Sequence, residues 1–271
     1  MIPKKGYKTL PHDPHLVGWF EADRVNGVNT ALPSNNTNIS NWLSVAGGGE
    51  KATRPTNITQ PTFIENASNG KPAINFNSDS GGSAADHLDI VVHAGDDMGE
   101  LDLYERTLNT DGMTVMACVK LDANIPPSGQ SGHIVFCQSQ NPNTNYQYGL
   151  FQQENGIAFS MTDGITGQTK TRARGGGVPT TPRVYSGWWD KADQSLNVQQ
   201  GGEAVGTTPN IISAMSSNAR YFAIGSQKES PVFNKRKLDG NIFAIYIYAR
   251  KLSTQERDAV RNYLEVKYGA S

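Results

Sequence analysis

The segments TNYQYGLFQQ (144–153) and GIAFSMTDG (156–164), joined through Glu154 and Asn155, decide the fold class. Both segments alternate, and Asn155-Gly156 lies between them. An Asn-Gly dipeptide flanked by alternating segments is the strongest short-range signal for a tight antiparallel hairpin, because both residues tolerate the positive φ that a type I′ turn demands. Working outward, RVYSGWWD (183–190) and QSLNVQQGG (194–202) form a second pair of the same kind. GMTVMACVKL (112–121) is an unbroken apolar run, the pattern of a central strand covered on both faces. Further strands are expected in HLVGWFEA (15–22), KPAINFNS (71–78), HLDIVVH (87–93), HIVFCQS (133–139), ARYFAIGSQ (219–227) and NIFAIYIYAR (241–250). The stretch from Arg24 to Thr62 reads as loop anchored by Trp42, Leu43 and Val45, and residues 95–112 as a polar excursion with one short helical turn. TRARGGGVP (171–179) reads as a flexible, basic, glycine-rich loop. It does not lead from a strand into a helix, so it is no phosphate cradle.

One helix closes the chain. Ser253 followed by Glu256 is a capping box, Ala259, Val260, Tyr263 and Leu264 form an apolar stripe, and Gly269 suits the position after the last turn. The helix is expected at a sheet edge or across an open end of the sandwich. Many short strands with Gly and Pro turns and a single terminal helix indicate an all-β, two-sheet antiparallel jelly-roll sandwich with one C-terminal α-helix.

The 271 residues carry 24 Lys+Arg against 25 Asp+Glu, a net charge of −1. An evenly mixed balance supplies no long-range field for nucleic acid or an anionic membrane. No run approaches 18 apolar residues. Cys118 and Cys137 lie in apolar segments without a Cys-x-x-Cys spacing, so they read as buried free thiols, and no metal or cofactor is indicated. Residues 1–15 form a Pro- and Lys-containing arm ahead of a single domain, 16–271. The lysines are followed by no 7–15-residue apolar stretch, so no secretory signal is expected. Lys4, Lys5 and Tyr7 are the expected assembly contacts of that arm.

LVGWFEADRV, NISNWLSVAGGG, ITQPTF, NGKPAINFN, MTVMACVKL, YFAIGSQ and the closing LDGNIFAIYIYARKLSTQERDAVRNYLEVKYG resemble the concanavalin A-like lectin/glucanase superfamily. The likeness is to its laminin-G-like branch, common in bacterial surface and phage proteins, and spans roughly residues 16–269. It implies two curved antiparallel sheets of about six or seven strands each, with a concave face. Relatives bind sugars, bind proteins, cleave polysaccharides or fill structural places, and a shared fold does not choose among these.

Hydrolysis of a glycosidic bond needs two carboxylates about 5–5.5 Å apart for retention. The Glu-x-Asp-x-x-Glu run of glucanase relatives is missing here. Asp190 and Asp193 flank a hairpin turn, where acids cap backbone amides, and Asp86 and Asp89 are the nearest approach to a calcium site. A lyase constellation of His133, Tyr146, Tyr148 and Arg174 is conceivable, but a histidine opening a strand is more often structural. For sugar recognition or a protein interface the candidates are Tyr146, Tyr148, Trp188, Trp189 and Arg174. Adjacent Trp188 and Trp189 must face opposite ways, one into the core and the other exposed or at an interface. The sequons at Asn35, Asn38, Asn57 and Asn66 follow from an Asn-rich composition. The leading functional expectation is a virion surface accessory protein, a capsid decoration or fibre-type subunit assembled in the host cytoplasm. Its partners would be other particle subunits and surface glycans. The alternatives are a carbohydrate-binding module of a bacterial surface protein, at the cell surface or extracellular, and a polysaccharide lyase or hydrolase.

Overall fold

Period-two segments become strands here because each must hide one face. A computed structural model describes residues 13–46, 50–53, 60–77, 86, 88–91, 101, 103–122, 131–139, 146–153, 156–162, 168–174, 181–209, 212–216, 219–230, 233–235 and 237–271. The strands are β1 (Leu16–Glu21), β2 (Asn41–Leu43), β3 (Lys51–Thr53), β4 (Thr62–Ser68), β5 (Lys71–Phe76), β6 (Leu88–Val91), β7 (Gly112–Leu121), β8 (Ser131–Ser139) and β9 (Tyr146–Gln153). They continue with β10 (Gly156–Thr162), β11 (Gln168–Arg174), β12 (Arg183–Asp190), β13 (Ser195–Gln200), β14 (Gly206–Thr208), β15 (Ala219–Ile224), β16 (Gln227–Ser230), β17 (Phe233–Lys235) and β18 (Gly240–Tyr248). The helices are α1 (Leu103–Leu108) and α2 (Thr254–Tyr268).

Two antiparallel sheets form a jelly-roll sandwich. The first runs β14-β13-β12-β7-β18-β5-β4 with β1 also paired to β18, and the second runs β11-β10-β9-β8-β15-β6-β3-β2. Each holds eight strands among the described residues, against the six or seven expected. The additional ones include β2 and β3, short pieces inside the stretch read as loop, and β11. Residues 171–174 belong to that last strand, which corrects their reading as loop. Residues 175–179 lie outside the described residues. Between β9 and β10 the hairpin forms where expected, but Gln153 pairs with Gly156. Gly156 therefore opens β10, and the residues between the strands are Glu154 and Asn155, which lie outside the described residues, and not the Asn-Gly pair.

The central strand β7 is buried along its whole length except at Lys120. Met113, Val115, Ala117 and Val119 enter the core between the sheets, while Met116 and Cys118 face the opposite side. Gly187 of β12 lies so close to Phe159 of β10 that a Cβ there would meet the ring's Cδ2 at 2.4 Å. The sheets could not approach as they do with any larger residue. Neither cysteine is in a disulfide, both are buried, and burial pushes the Cys118 thiol well above its ordinary range. Trp42 anchors the long early segment as expected, fully buried with Nε1 donating to the Glu21 carbonyl at 3.2 Å.

Helix α2 lies across the outer face of the first sheet, over β12 and β7, and not at an edge or open end. That face is apolar (Met116, Cys118, Val184, Phe243, Tyr246), and Val260, Leu264 and Tyr268 cover it. The capping box forms as read: Ser253 Oγ accepts from Glu256 N at 3.3 Å and Ser253 N donates to Glu256 Oε2 at 2.8 Å. Gly269 ends the helix at φ 65°. The stripe differs from expectation. Ala259 is exposed and Tyr263 half-buried, while Arg257 and Lys267 are buried, because cation partners on the sheet turn the helix toward them.

Truncating Leu264 to Ala should lower the unfolding free energy by about 3 kcal/mol in urea titrations, the cost of a cavity under a helix that is part of the core. Hydrogen bonds from Arg250, aided by those from Ser253, outweigh burial and pull the Glu256 carboxyl down to about 2 from its ordinary 4.5. A depressed folded-state pKa means stability that is fully present above the unfolded value and lost as pH falls through the folded one. Between about pH 5 and pH 2, Glu256→Gln should therefore show a flatter fall in urea midpoint than the parent.

Candidate functional site

The turn Lys191–Gln194 joins β12 to β13 and is held by Asp190. Asp190 Oδ1 accepts the amides of Ala192 (3.2 Å) and Asp193 (3.4 Å), and Oδ2 takes Lys251 Nζ at 2.7 Å. Burial alone would raise its pKa, but the Lys251 contact and the turn amides together hold it below the usual carboxylate value. The acids of this turn thus include the amide cap that the sequence implies. Gln194 takes a positive φ of 51°, and its carbonyl accepts from Ile212 N at 3.4 Å.

Beyond the turn, Asn197 is buried on β13. Its Nδ2 donates to Ser195 Oγ (3.0 Å), and its Oδ1 accepts from Thr207 Oγ1 on the edge strand β14 (2.8 Å). One amide therefore sets two hydroxyl-bearing residues. The result is an open depression of about 510 Å³ lined by Ala192, Asp193, Gln194, Ser195, Thr207 and Pro209. It combines one carboxylate, one amide and two hydroxyls with two small apolar residues, a set suited to hydrogen-bonding a hydroxyl-rich ligand. Among the described residues no group of three or more His, Cys, Asp or Glu is placed to hold a metal ion.

The residues singled out from the sequence do not converge. Tyr148 lies in the core between the sheets, its hydroxyl donating to the Leu101 carbonyl at 3.3 Å. Trp189 is also core, with Nε1 on the Ile212 carbonyl at 3.0 Å. Trp188 does face the other way, but it is neither exposed nor at an open interface: it is 6% exposed, with the Arg257 guanidinium 3.9 Å from the ring centroid. Tyr146 opens β9 and Arg174 closes β11. Gln153 and Arg174 both pair with Gly156, so Tyr146 sits seven residues away along the strand, about 24 Å. The side chains of Tyr146, Arg174 and His133 lie outside the described residues, as do Lys4, Lys5 and Tyr7 altogether. Asp86 is buried, with Oδ2 accepting the Asn77 amide at 3.1 Å, and Asp89 is buried on β6. Ser195, Gln194 and Thr207 were missed. Polar residues at a strand start and a short edge strand carry no local mark of being neighbours.

No protein-family model matches this chain, and no curated protein matches it in sequence. Solved structures do. The binding domain of botulinum neurotoxin serotype D/C (VPI 5993) aligns over 92% of this chain and 52% of that one, with 9% identity and a TM-score of 0.63. The binding domain of botulinum neurotoxin DC in complex with rat synaptotagmin II gives 0.62 at 10% identity over the same shares. The DC binding domain in complex with SialylT gives 0.59 at 11% identity, again over 92% and 52%. The chain spans about half the length of these domains. At such identities the likeness is one of fold, the jelly-roll sandwich of two antiparallel sheets.

Asn197→Ala should cost about 1–3 kcal/mol by leaving the buried neighbours of its amide short of partners. Hydrogen exchange at residues 206–208 should quicken selectively, because the side-chain tie to the edge strand is lost.

Proposed function

We propose that this chain is a carbohydrate-binding, lectin-like module working at a cell surface or outside the cell. The observation that carries the reading is the depression at the β12–β13 turn. Asp193, Gln194, Ser195 and Thr207 offer charged, amide and hydroxyl partners there on a rigid two-sheet support. Sugars are recognised through such groups, and binding residues placed on turns held by a scaffold are the common arrangement. The neutral composition agrees, and one structure of similar fold is a binding domain in complex with SialylT. An enzyme reading has less support, since Asp190 caps its turn and pairs with Lys251 while Asp86 holds a backbone amide. The virion-accessory reading, with its particle partners and its laminin-G-like ancestry, rests on sequence alone. The arm residues it depends on, Lys4, Lys5 and Tyr7, lie outside the described residues.

The test is a glycan array followed by calorimetry on the best ligand. Asp193→Ala and Gln194→Ala should each weaken binding about tenfold, the loss of one or two hydrogen bonds to a ligand, with unchanged melting temperature. An empty array, or a ligand bound equally by both variants, would overturn the assignment to this depression.

A further inference from the structure

What a ligand must bring to the depression follows from which of its polar groups are already engaged. The amide of Lys191 donates to the Asp111 carbonyl at 2.9 Å, and those of Ala192 and Asp193 donate to Asp190 Oδ1. Pro209 has no amide hydrogen to give. Thr207 commits its hydroxyl proton to Asn197 Oδ1, which leaves only the lone pairs of its Oγ1 for a ligand. Ser195 Oγ already accepts from Asn197 Nδ2, so its own proton is what it still offers. Gln194 adds one side-chain amide, and Asp193 adds two carboxylate oxygens. Among the described residues, no hydrogen bond or ion pair holds the Asp193 carboxylate.

The cations nearby are engaged as well. Lys191 Nζ donates to the Thr107 and Leu108 carbonyls at 3.1 and 2.9 Å, and Lys251 Nζ donates to Asp190 Oδ2. Arg257 lies over Trp188 and donates to the Leu252 carbonyl and to Thr254 Oγ1. The chain therefore neutralises Asp190 and leaves Asp193, which is exposed, without a counter-charge. The depression is rich in acceptors, poor in donors and negatively charged. A ligand carboxylate, sulfate or phosphate brings acceptors and a like charge, and mismatches it on both counts. A sugar hydroxyl supplies one donor, whereas an ammonium supplies three together with the opposite charge. Hydrogen bonds between charged partners are also the stronger ones.

We propose that the ligand is a glycan with free amino groups, a polymer of 2-amino-2-deoxyhexose. Its ammonium sits on the Asp193 carboxylate, and its hydroxyls bond Gln194, Ser195 and Thr207. The inference rests on the carbohydrate-binding reading and deepens it by naming the substrate class. An aspartate on a turn also keeps a surface soluble. That role alone would leave ligand preference untouched.

The experiment compares glucosamine oligomers with fully N-acetylated oligomers of the same length, using the full chain in calorimetry at a pH where the amine is protonated. Acetylation keeps the backbone and removes the charge. The amine form should bind about tenfold tighter, the worth of one charge-assisted hydrogen bond. That preference should shrink as salt rises toward about 0.5 M and as the pH is raised until the amine loses its proton. D193N should bring the ratio of the two affinities close to one. E65Q removes an exposed carboxylate elsewhere and should keep the ratio. The salt and pH series on the parent keep the test decisive if D193N folds poorly. Equal binding of the two oligomers overturns this inference alone, as does a preference that survives D193N or is lost equally in E65Q. Tighter binding of polygalacturonate than of the amine form overturns it too. Failure to bind any glycan, charged or neutral, overturns the carbohydrate-binding reading itself.

Discussion

The buried carboxylate of Glu21 ties the beginning of the domain to its end. It is fully buried on β1, and Oε1 accepts from the Tyr246 hydroxyl of β18 at 2.6 Å and from Lys267 Nζ of α2 at 2.9 Å. Arg24 Nε approaches Oε2 at 3.2 Å, and Lys267 reaches Asp23 at 3.0 Å as well. A charge taken from water is tolerated only when paired and hydrogen-bonded, and stripping one partner from such a pair costs about 3–5 kcal/mol. The group therefore dictates the rotation of the helix. Lys267 must face the sheet, which turns Ala259 outward. At the other end of α2, Arg257 sits over Trp188 in the same manner. Two cations, one near each end, fasten the helix across an apolar face that Val260 and Leu264 then fill.

Helix α2 covers the first sheet's outer face over β12 and β7, and the β12–β13 turn and β14 lie toward the edge of that sheet. The edge strands β14 and β11 are held in register by β13 and β10. Asp190 shows how scaffold and site join. One oxygen caps the turn that presents Asp193, and the other is anchored by Lys251, just ahead of α2. The rigidity of the turn thus derives from the same region that positions the helix. Asn197 does the equivalent for Ser195 and Thr207, its single buried amide drawing an edge strand into place.

Much of this was legible in the residues. Asn155-Gly156 between alternating segments predicts a hairpin, and β9 and β10 do form one, although Gln153 pairs with Gly156 and the connection falls one residue earlier than an Asn-Gly turn would place it. The unbroken apolar run of β7 predicts a strand covered on both sides, which it is, by the opposite sheet and by α2. Ser253 and Glu256 predict the helix start to the residue. Less legible was β11, where a Lys/Arg-Thr/Ala alternation running into three glycines reads as loop. Charged residues at every second position carry weak hydrophobic contrast, and only pairing with β10 reveals the strand. The aromatic residues misled for a related reason. Tyr148, Trp188 and Trp189 have the chemistry of a binding surface, but the same chemistry fills cores, and the composition of a strand does not say what lies across from it.

What the sequence by itself determined is local: which segments alternate, where turns and caps fall, and that no strong net field surrounds the protein. These depend on interactions within a few residues, and side-chain chemistry specifies them directly. Only the tertiary structure decided which strands are neighbours, that α2 covers a face and not an edge, and that Ser195, Gln194 and Thr207 share one depression beside β11. Those outcomes depend on burying two sheet faces and one buried carboxylate at once. Residues far apart in the chain satisfy that condition jointly, and no short stretch of sequence contains it.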